Sequence, residues 1–158
     1  MNTTITDKTT LLSKKGMKEI KKGVAQLERD RQKTLQSLHD LDKTLGRDEH
    51  LNRINMVFSL EGIEAELADK KLILSTAKLI PKTRSRLQVA IGSVVDLIDR
   101  QGQIFRFTIV DSVEADPSDG RISTVSPLGQ SLIGKTIRDI VEWHNGLRTS
   151  QLKLVRII

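Results

Sequence analysis

Two apolar stripes, each stepping by alternating threes and fours, occupy most of residues 12–79 and are interrupted by one polar turn. From Met17, the positions Ile20, Val24, Leu27, Arg31, Thr34, Leu38, Leu41 and Leu45 share one side of a helix. Met56, Leu60, Ile63, Leu67, Lys70, Leu74 and Ala77 repeat that spacing after the break. Stripes of this length need a partner, and the break between them, Gly46-Arg47-Asp48-Glu49-His50-Leu51-Asn52, is short enough to let the second helix return antiparallel to the first. The pattern predicts a coiled hairpin. A helix of roughly 30 residues is about 45 Å long, so the hairpin is expected to reach, with Asp48 and Glu49 carried at its tip.

Polar residues break the stripes at Arg31, Thr34 and Lys70, where they lower stability and help to set register, their stems reaching toward solvent. Ser13 is placed to cap the first helix, with Gly16 inside its first turn. Pro81 cannot continue a helical hydrogen-bond ladder, and the small and charged residues after it mark a boundary. The expected organisation is an arm over residues 1–80, a linker over 81–88 and a second domain over 89–158.

Beyond the boundary, the period changes to two. Runs rich in branched residues at 94–98, 104–110, 122–125, 140–144 and 152–157 read as short strands, with Phe105, Phe107 and Ile109 on a packed face and Arg106 and Thr108 on the other. Asn145-Gly146 signals a two-residue hairpin between the last two strands. Residues 126–135 read as a short helix, with Ser126 as cap, Pro127 in the first turn and Gly134 as the left-handed stop. The fold class is α+β: an antiparallel helical hairpin followed by a small twisted antiparallel sheet that holds one helix.

Charge narrows the functional classes. The formal net charge of +6 comes mainly from the first helix, since residues 1–46 carry ten Lys/Arg against six Asp/Glu, while 84–158 carry ten against eight. Lys14, Lys15, Lys18, Lys21 and Lys22 are the residues expected to meet RNA or an acidic wall, a salt-sensitive contact, against the alternative of a solvated helix face. Phe58, Phe105, Phe107 and Trp143 are too few for a base-stacking platform. The absence of cysteine excludes disulfides and zinc thiolates, and no apolar run approaches the roughly 18 residues of a spanning helix, so the expected compartment is the cytoplasm. His39, His50 and His144 have no metal-ligand spacing, and no hydrolase triad, phosphate-cradling loop or dinucleotide motif occurs.

Three motifs stand in order in the second half: Gly92-Ser93-Val94-Val95 before a strand, the loop Glu114-Ala115-Asp116, and Ser126-Pro127-Leu128-Gly129 followed by Leu132-Ile133-Gly134-Lys135. With the opening Leu12-Ser13-Lys14-Lys15-Gly16, they make the chain resemble the GreA/GreB family of bacterial transcript-cleavage factors over nearly its whole length. The resemblance implies an N-terminal antiparallel coiled coil and an FKBP-like C-terminal domain that docks at the mouth of the RNA polymerase secondary channel. By the same resemblance, tip carboxylates help to hold a Mg²⁺ shared with the polymerase active site, the nascent RNA 3′ end is the substrate, and the catalytic framework is the polymerase's. The factor is then an accessory protein and not itself an enzyme, binds no cofactor alone, is expected to be a monomer, and has no membrane partner. It also points to Ser126, Pro127, Leu128, Gly129 and Lys135 as docking residues.

The tip departs from the family. Its cleavage motif is Asp-x-x-Glu-Asn-Ala-Glu-Tyr, and no register places both carboxylates: matching Glu49 to the first Glu puts Gly46 at the Asp, whereas matching Asp48 to the Asp puts Leu51 at the Glu. Asp48 and Glu49 therefore stand as the catalytic and metal-contacting pair if the tip supports cleavage, and otherwise as acidic residues favoured by a helix start. Two functions follow: stimulation of cleavage in backtracked complexes, or a non-catalytic channel occupant that inhibits or modulates polymerase. A coiled-coil interaction module for another partner is the third.

Overall fold

The computed structural model describes residues 9–41, 46–82 and 86–158, with the side chains of Arg47, Asp48 and Asn145 left out. Leu45 of the first stripe lies outside the described residues. The chain divides into two compact units, one containing Met17–Ala77 and the other Thr9–Gly16 together with Lys78–Ile158.

The first unit is built on α1 (Lys14–Leu41) and α2 (Arg47–Thr76). Along both helices the less exposed side chains are those of the predicted stripes, Ile20, Val24, Leu27, Thr34 and Leu38 on α1 and Met56, Leu60, Ile63, Leu67 and Leu74 on α2. The ion pairs Arg31–Glu64 and Lys71–Glu28, each 2.9 Å, run in opposite chain directions, as an antiparallel hairpin requires. Each polar stripe residue has a local solution. The Thr34 hydroxyl donates to the Asp30 carbonyl at 2.9 Å, Arg31 reaches Glu64, and the stem of Lys70 lies over Gly23 while its ammonium approaches Glu66 at 3.5 Å. These pairs are half-exposed and contribute little stability individually; apolar burial along the seam holds the helices.

The second unit is a five-stranded sheet of β3 (Val94–Ile98), β4 (Ile104–Val110), β5 (Arg121–Ser123), β6 (Ile140–Asn145) and β7 (Arg148–Ile157), ordered β5-β4-β3-β7-β6. The expected antiparallel pattern holds for β4-β3-β7-β6, whereas β5 joins β4 parallel, so the sheet is mixed. The reason is the connection: two 3₁₀ turns, Ser112–Glu114 and Pro117–Asp119, bring the chain back beside the start of β4's last residues instead of reversing it in a tight hairpin. α3 (Pro127–Leu132) packs Leu128 and Leu132 on the sheet with Val95, Leu97, Ile109, Val141, Leu152 and Leu154. The exposed/buried alternation of β4 follows the sequence, Arg106 outward and Phe105 and Phe107 stacked 6.4 Å apart against the core.

Two local expectations shift. The β6–β7 hairpin pairs Asn145 with Arg148, so its two central residues are Gly146 and Leu147; Gly146, with φ +63°, takes the left-handed position. The second helix stops at Thr76, and Ala77–Leu79 forms β2, which pairs with β1 (Thr10–Leu12); the Ile80 N–H donates to the Leu12 carbonyl at 2.9 Å. Period-two pairing across 65 or more residues of sequence has no local signature, which is why a helix-compatible Ala77 read as helix.

Candidate functional site

The segment 126–135 is fixed from beneath by its own residues. The Ser126 hydroxyl accepts from the Gly129 N–H at 3.1 Å and donates to the Ser123 carbonyl at 2.7 Å. Gly129 must lack a side chain, because a Cβ there would stand 1.9 Å from the Ser123 carbonyl oxygen. Gly134 adopts φ +78° and donates to the Val89 carbonyl, while the Val89 N–H returns a bond to the Lys135 carbonyl at 2.9 Å. These contacts tie the end of α3 to the entry of the sheet.

Above this frame lies a groove of about 320 Å³ between α3 and the outer edge of β6, lined by Pro127, Leu128, Ser131 and Lys135 on one side and by Ile140, Val141, Glu142, Trp143 and His144 on the other. β6 is the last strand in the sheet, so its outer backbone groups border the groove. Pro127 is exposed and Lys135 half-exposed on its rim; Leu128 is buried under it, Gly129 is buried against the Ser123 carbonyl, and Ser126 is half-buried as the cap. Of the five docking residues named from sequence, Pro127 and Lys135 are thus offered at the surface, while Leu128 forms the floor. The β6 residues were missed because a strand's edge position is decided by sheet order. Ile140, which lines the groove, leaves apolar surface exposed there.

At the tip, the described chemistry is a helix start. Gly46 is the N-cap of α2, in extended conformation, and its N–H donates to Glu49 Oε2 at 2.8 Å. This is half of a capping box, since glycine has no side chain to return the bond. The Asp48 side chain lies outside the described residues. Among the described residues, no group of three or more His, Asp or Glu is gathered to hold a metal ion. Lys18, Lys21 and Lys22 are exposed on α1, and Lys14 and Lys15 are exposed in its first turn.

The other motif residues are also structural. Gly92 has φ +85° and donates to the Ile109 carbonyl; Ser93, wholly buried, accepts from the Ala90 N–H at 3.0 Å through its hydroxyl. Asp116 caps the second 3₁₀ turn, and its hydrogen bonds from Ser118, with Arg121 nearby, lower its pKa. Glu114, only 8% exposed, accepts from the Ser13 N–H at 2.8 Å and from the Ser13 hydroxyl.

Residues 84–158 match the family described as "Transcription elongation factor, GreA/GreB, C-term". The chain is 32% identical to "Transcription elongation factor GreA" of Mesomycoplasma hyopneumoniae strain 232 over 145 residues, 90% of this chain and 89% of that one. It belongs to the GreA/GreB family. With the protein of the same description from Thermoanaerobacter pseudethanolicus, identity is 36% over 97 residues, 60% of this chain. That match spans 62% of the relative's length, and the match to the Chlorobium phaeobacteroides relative spans 52%. Among solved structures, GreA factor homolog 1 of Thermus thermophilus is similar, at 22% identity and TM-score 0.43 over 96% of this chain and 99% of that chain. Among the described residues of this GreA/GreB family member, no helix is long and apolar enough to cross a membrane.

Proposed function

We propose that this chain is an RNA polymerase-binding transcription elongation factor that acts through the secondary channel. Family membership over most of the chain, with relatives named as transcription elongation factors, supports this reading. The observation that carries its docking part is the groove between α3 and the β6 edge, an apolar floor with Lys135, Glu142 and His144 at its rim, suited to a partner surface that presents apolar and charged side chains together. Lys18, Lys21 and Lys22 add a basic face to the arm that would favour RNA or an acidic channel wall.

The tip separates two versions of this function. In the first, Asp48 and Glu49 help to hold Mg²⁺ shared with the polymerase and stimulate cleavage of backtracked RNA. In the second, the arm occupies the channel and modulates nucleotide addition without cleavage. The departure of the tip from the family's cleavage motif favours the second, because no register of Gly46-Arg47-Asp48-Glu49-His50-Leu51 supplies both carboxylates at the spacing that motif uses.

Backtracked elongation complexes test both. Addition of the chain should slow nucleotide addition, and Asp48→Ala with Glu49→Ala should retain that effect; rapid release of short 3′ fragments, lost in the double variant, would establish the cleavage version instead. Docking through the groove predicts that Lys135→Glu together with Ile140→Asp weakens binding to core polymerase by about tenfold or more, with the far-ultraviolet circular dichroism unchanged. Undiminished binding would remove the groove from the proposal.

A further inference from the structure

α2 carries a second apolar stripe that α1 does not cover. Leu51, Ile54, Phe58, Glu61, Ala65, Ala68 and Leu72 step by three, four, three, four, three and four along the helix, and every one of them is exposed, Leu51, Phe58 and Leu72 by about two-thirds (66%, 66% and 65%). At 3.6 residues per turn this stripe runs roughly opposite the one formed by Met56, Leu60, Ile63, Leu67 and Leu74. A solvated helix needs one apolar face. α2 has two, each with coiled-coil spacing over its length, and only Glu61 interrupts the outer one.

The order of sizes along the outer stripe identifies its occupant. Large residues fill the first half, two alanines follow and Leu72 closes the series, so that reversal matches large to small in the inner layers: a two-fold axis between Glu61 and Gly62 sets Ile54 against Ala68 and Phe58 against Ala65, with Leu51 against Leu72 at the ends. Ile54 and Phe58 then each meet an alanine, the Leu51–Leu72 pairs close the two ends of the seam, and Gly62, where an added Cβ would find nothing within 4 Å, lets the two backbones approach at the centre. A parallel pairing does the reverse, opposing Phe58 to Phe58 and leaving Ala65 and Ala68 facing one another across a gap. Flanking acids do not oppose association strongly, because Glu64 is paired with Arg31 and Glu66 with Lys70 within each copy. Glu61 is the exception, since the axis brings it near its own mate.

We propose that the outer stripe of α2 is a self-association surface, on which two copies of this chain pair antiparallel through Leu51, Ile54, Phe58, Ala65, Ala68 and Leu72. The stripe is about 32 Å long and one helix wide, at the small end of specific interfaces, so the dimer is weak and its population depends on concentration. Glu61 limits its affinity.

Sedimentation of the full chain from about 5 to 500 µM should show the mass rising from the 17.7 kDa monomer toward twice that value. Phe58→Glu should hold it at the monomer mass, Ala65→Glu should do the same, and Glu61→Leu should tighten association at least tenfold, all with unchanged far-ultraviolet circular dichroism. Because the chain has no cysteine, L51C and L72C variants report geometry directly. Oxidation of a mixture of the two should join L51C chains to L72C chains in preference to like chains. A monomer at every concentration, a dimer that survives both charge substitutions, or preferential linkage of L51C to itself would overturn the proposal.

Discussion

The two long helices begin in opposite ways, although a glutamate closes each. At the start of α2, Glu49 is the third residue of its own helix and accepts the N–H of Gly46, three positions earlier. At the start of α1, Ser13 is the cap, its hydroxyl accepting from the Gly16 N–H at 2.9 Å, and the carboxylate that receives the Ser13 N–H comes from Glu114, 101 residues away. The third position of α1 is glycine for that reason: a Cβ on Gly16 would stand 2.1 Å from Glu114 Oε1 and 2.8 Å from its Cγ. One capping box is local and lacks a side chain at its cap; the other is complete and is assembled by the tertiary fold. The Leu-Ser-Lys-Lys-Gly opening and the Glu-Ala-Asp loop, separate signals in the sequence, are therefore two halves of one contact.

The comparison would break first at Glu114. Glu114→Ala leaves the half-buried Ser13 N–H and hydroxyl without their acceptor and is expected to cost about 2–4 kcal/mol, read as a lower urea midpoint in the fluorescence of the single tryptophan, Trp143. Gly16→Ala should cost about 1–3 kcal/mol in the wild-type chain, because the buried carboxylate must move, and much less in the Glu114→Ala background; equal costs in both would show that the glycine answers to something else.

Asp96 stands between these extremes, ten residues from its partner on the neighbouring strand. Arg106 donates to it through Nε at 2.7 Å and Nη2 at 2.9 Å, and this pairing holds the Asp96 carboxyl below its ordinary pKa. A depressed folded pKa means that the unfolded chain takes up the proton first. The contribution of Asp96 is thus complete above the ordinary carboxylate value and is lost as pH falls toward its lower folded value. Asp96→Asn should lower stability at pH 7 and flatten the acid limb of the stability curve below about pH 4; an unchanged limb would assign that loss to other carboxylates.

Glu49→Ala should have the smallest effect, at most about 1 kcal/mol, visible in far-ultraviolet circular dichroism of the helices and absent from the Trp143 signal. A loss as large as that of Glu114→Ala would erase the distinction between a local and a tertiary cap.

Much of the fold was legible because its signals are periodic or adjacent. The α1 and α2 stripes, the alternation of β4, and the Ser126, Pro127 and Gly134 punctuation of α3 all appear where the residues place them. The site was less legible. Leu128 and Gly129 carry family resemblance, yet one is core and the other yields to the Ser123 carbonyl, whereas Ile140, Glu142 and His144 border the groove without belonging to any motif. A motif marks a residue that cannot change, and here that constraint is most often packing.

Local order in this chain, the heptads, the turns and the caps within four residues, follows from the amino-acid sequence alone, because backbone geometry repeats every few residues and the partners are close along the chain. The parallel entry of β5, the pairing of β1 with β2, the edge position of β6 and the grip of Glu114 on Ser13 were decided only in three dimensions. Each joins groups that the sequence holds apart, and a buried hydrogen-bonding group is satisfied by whichever partner the packed core brings within reach.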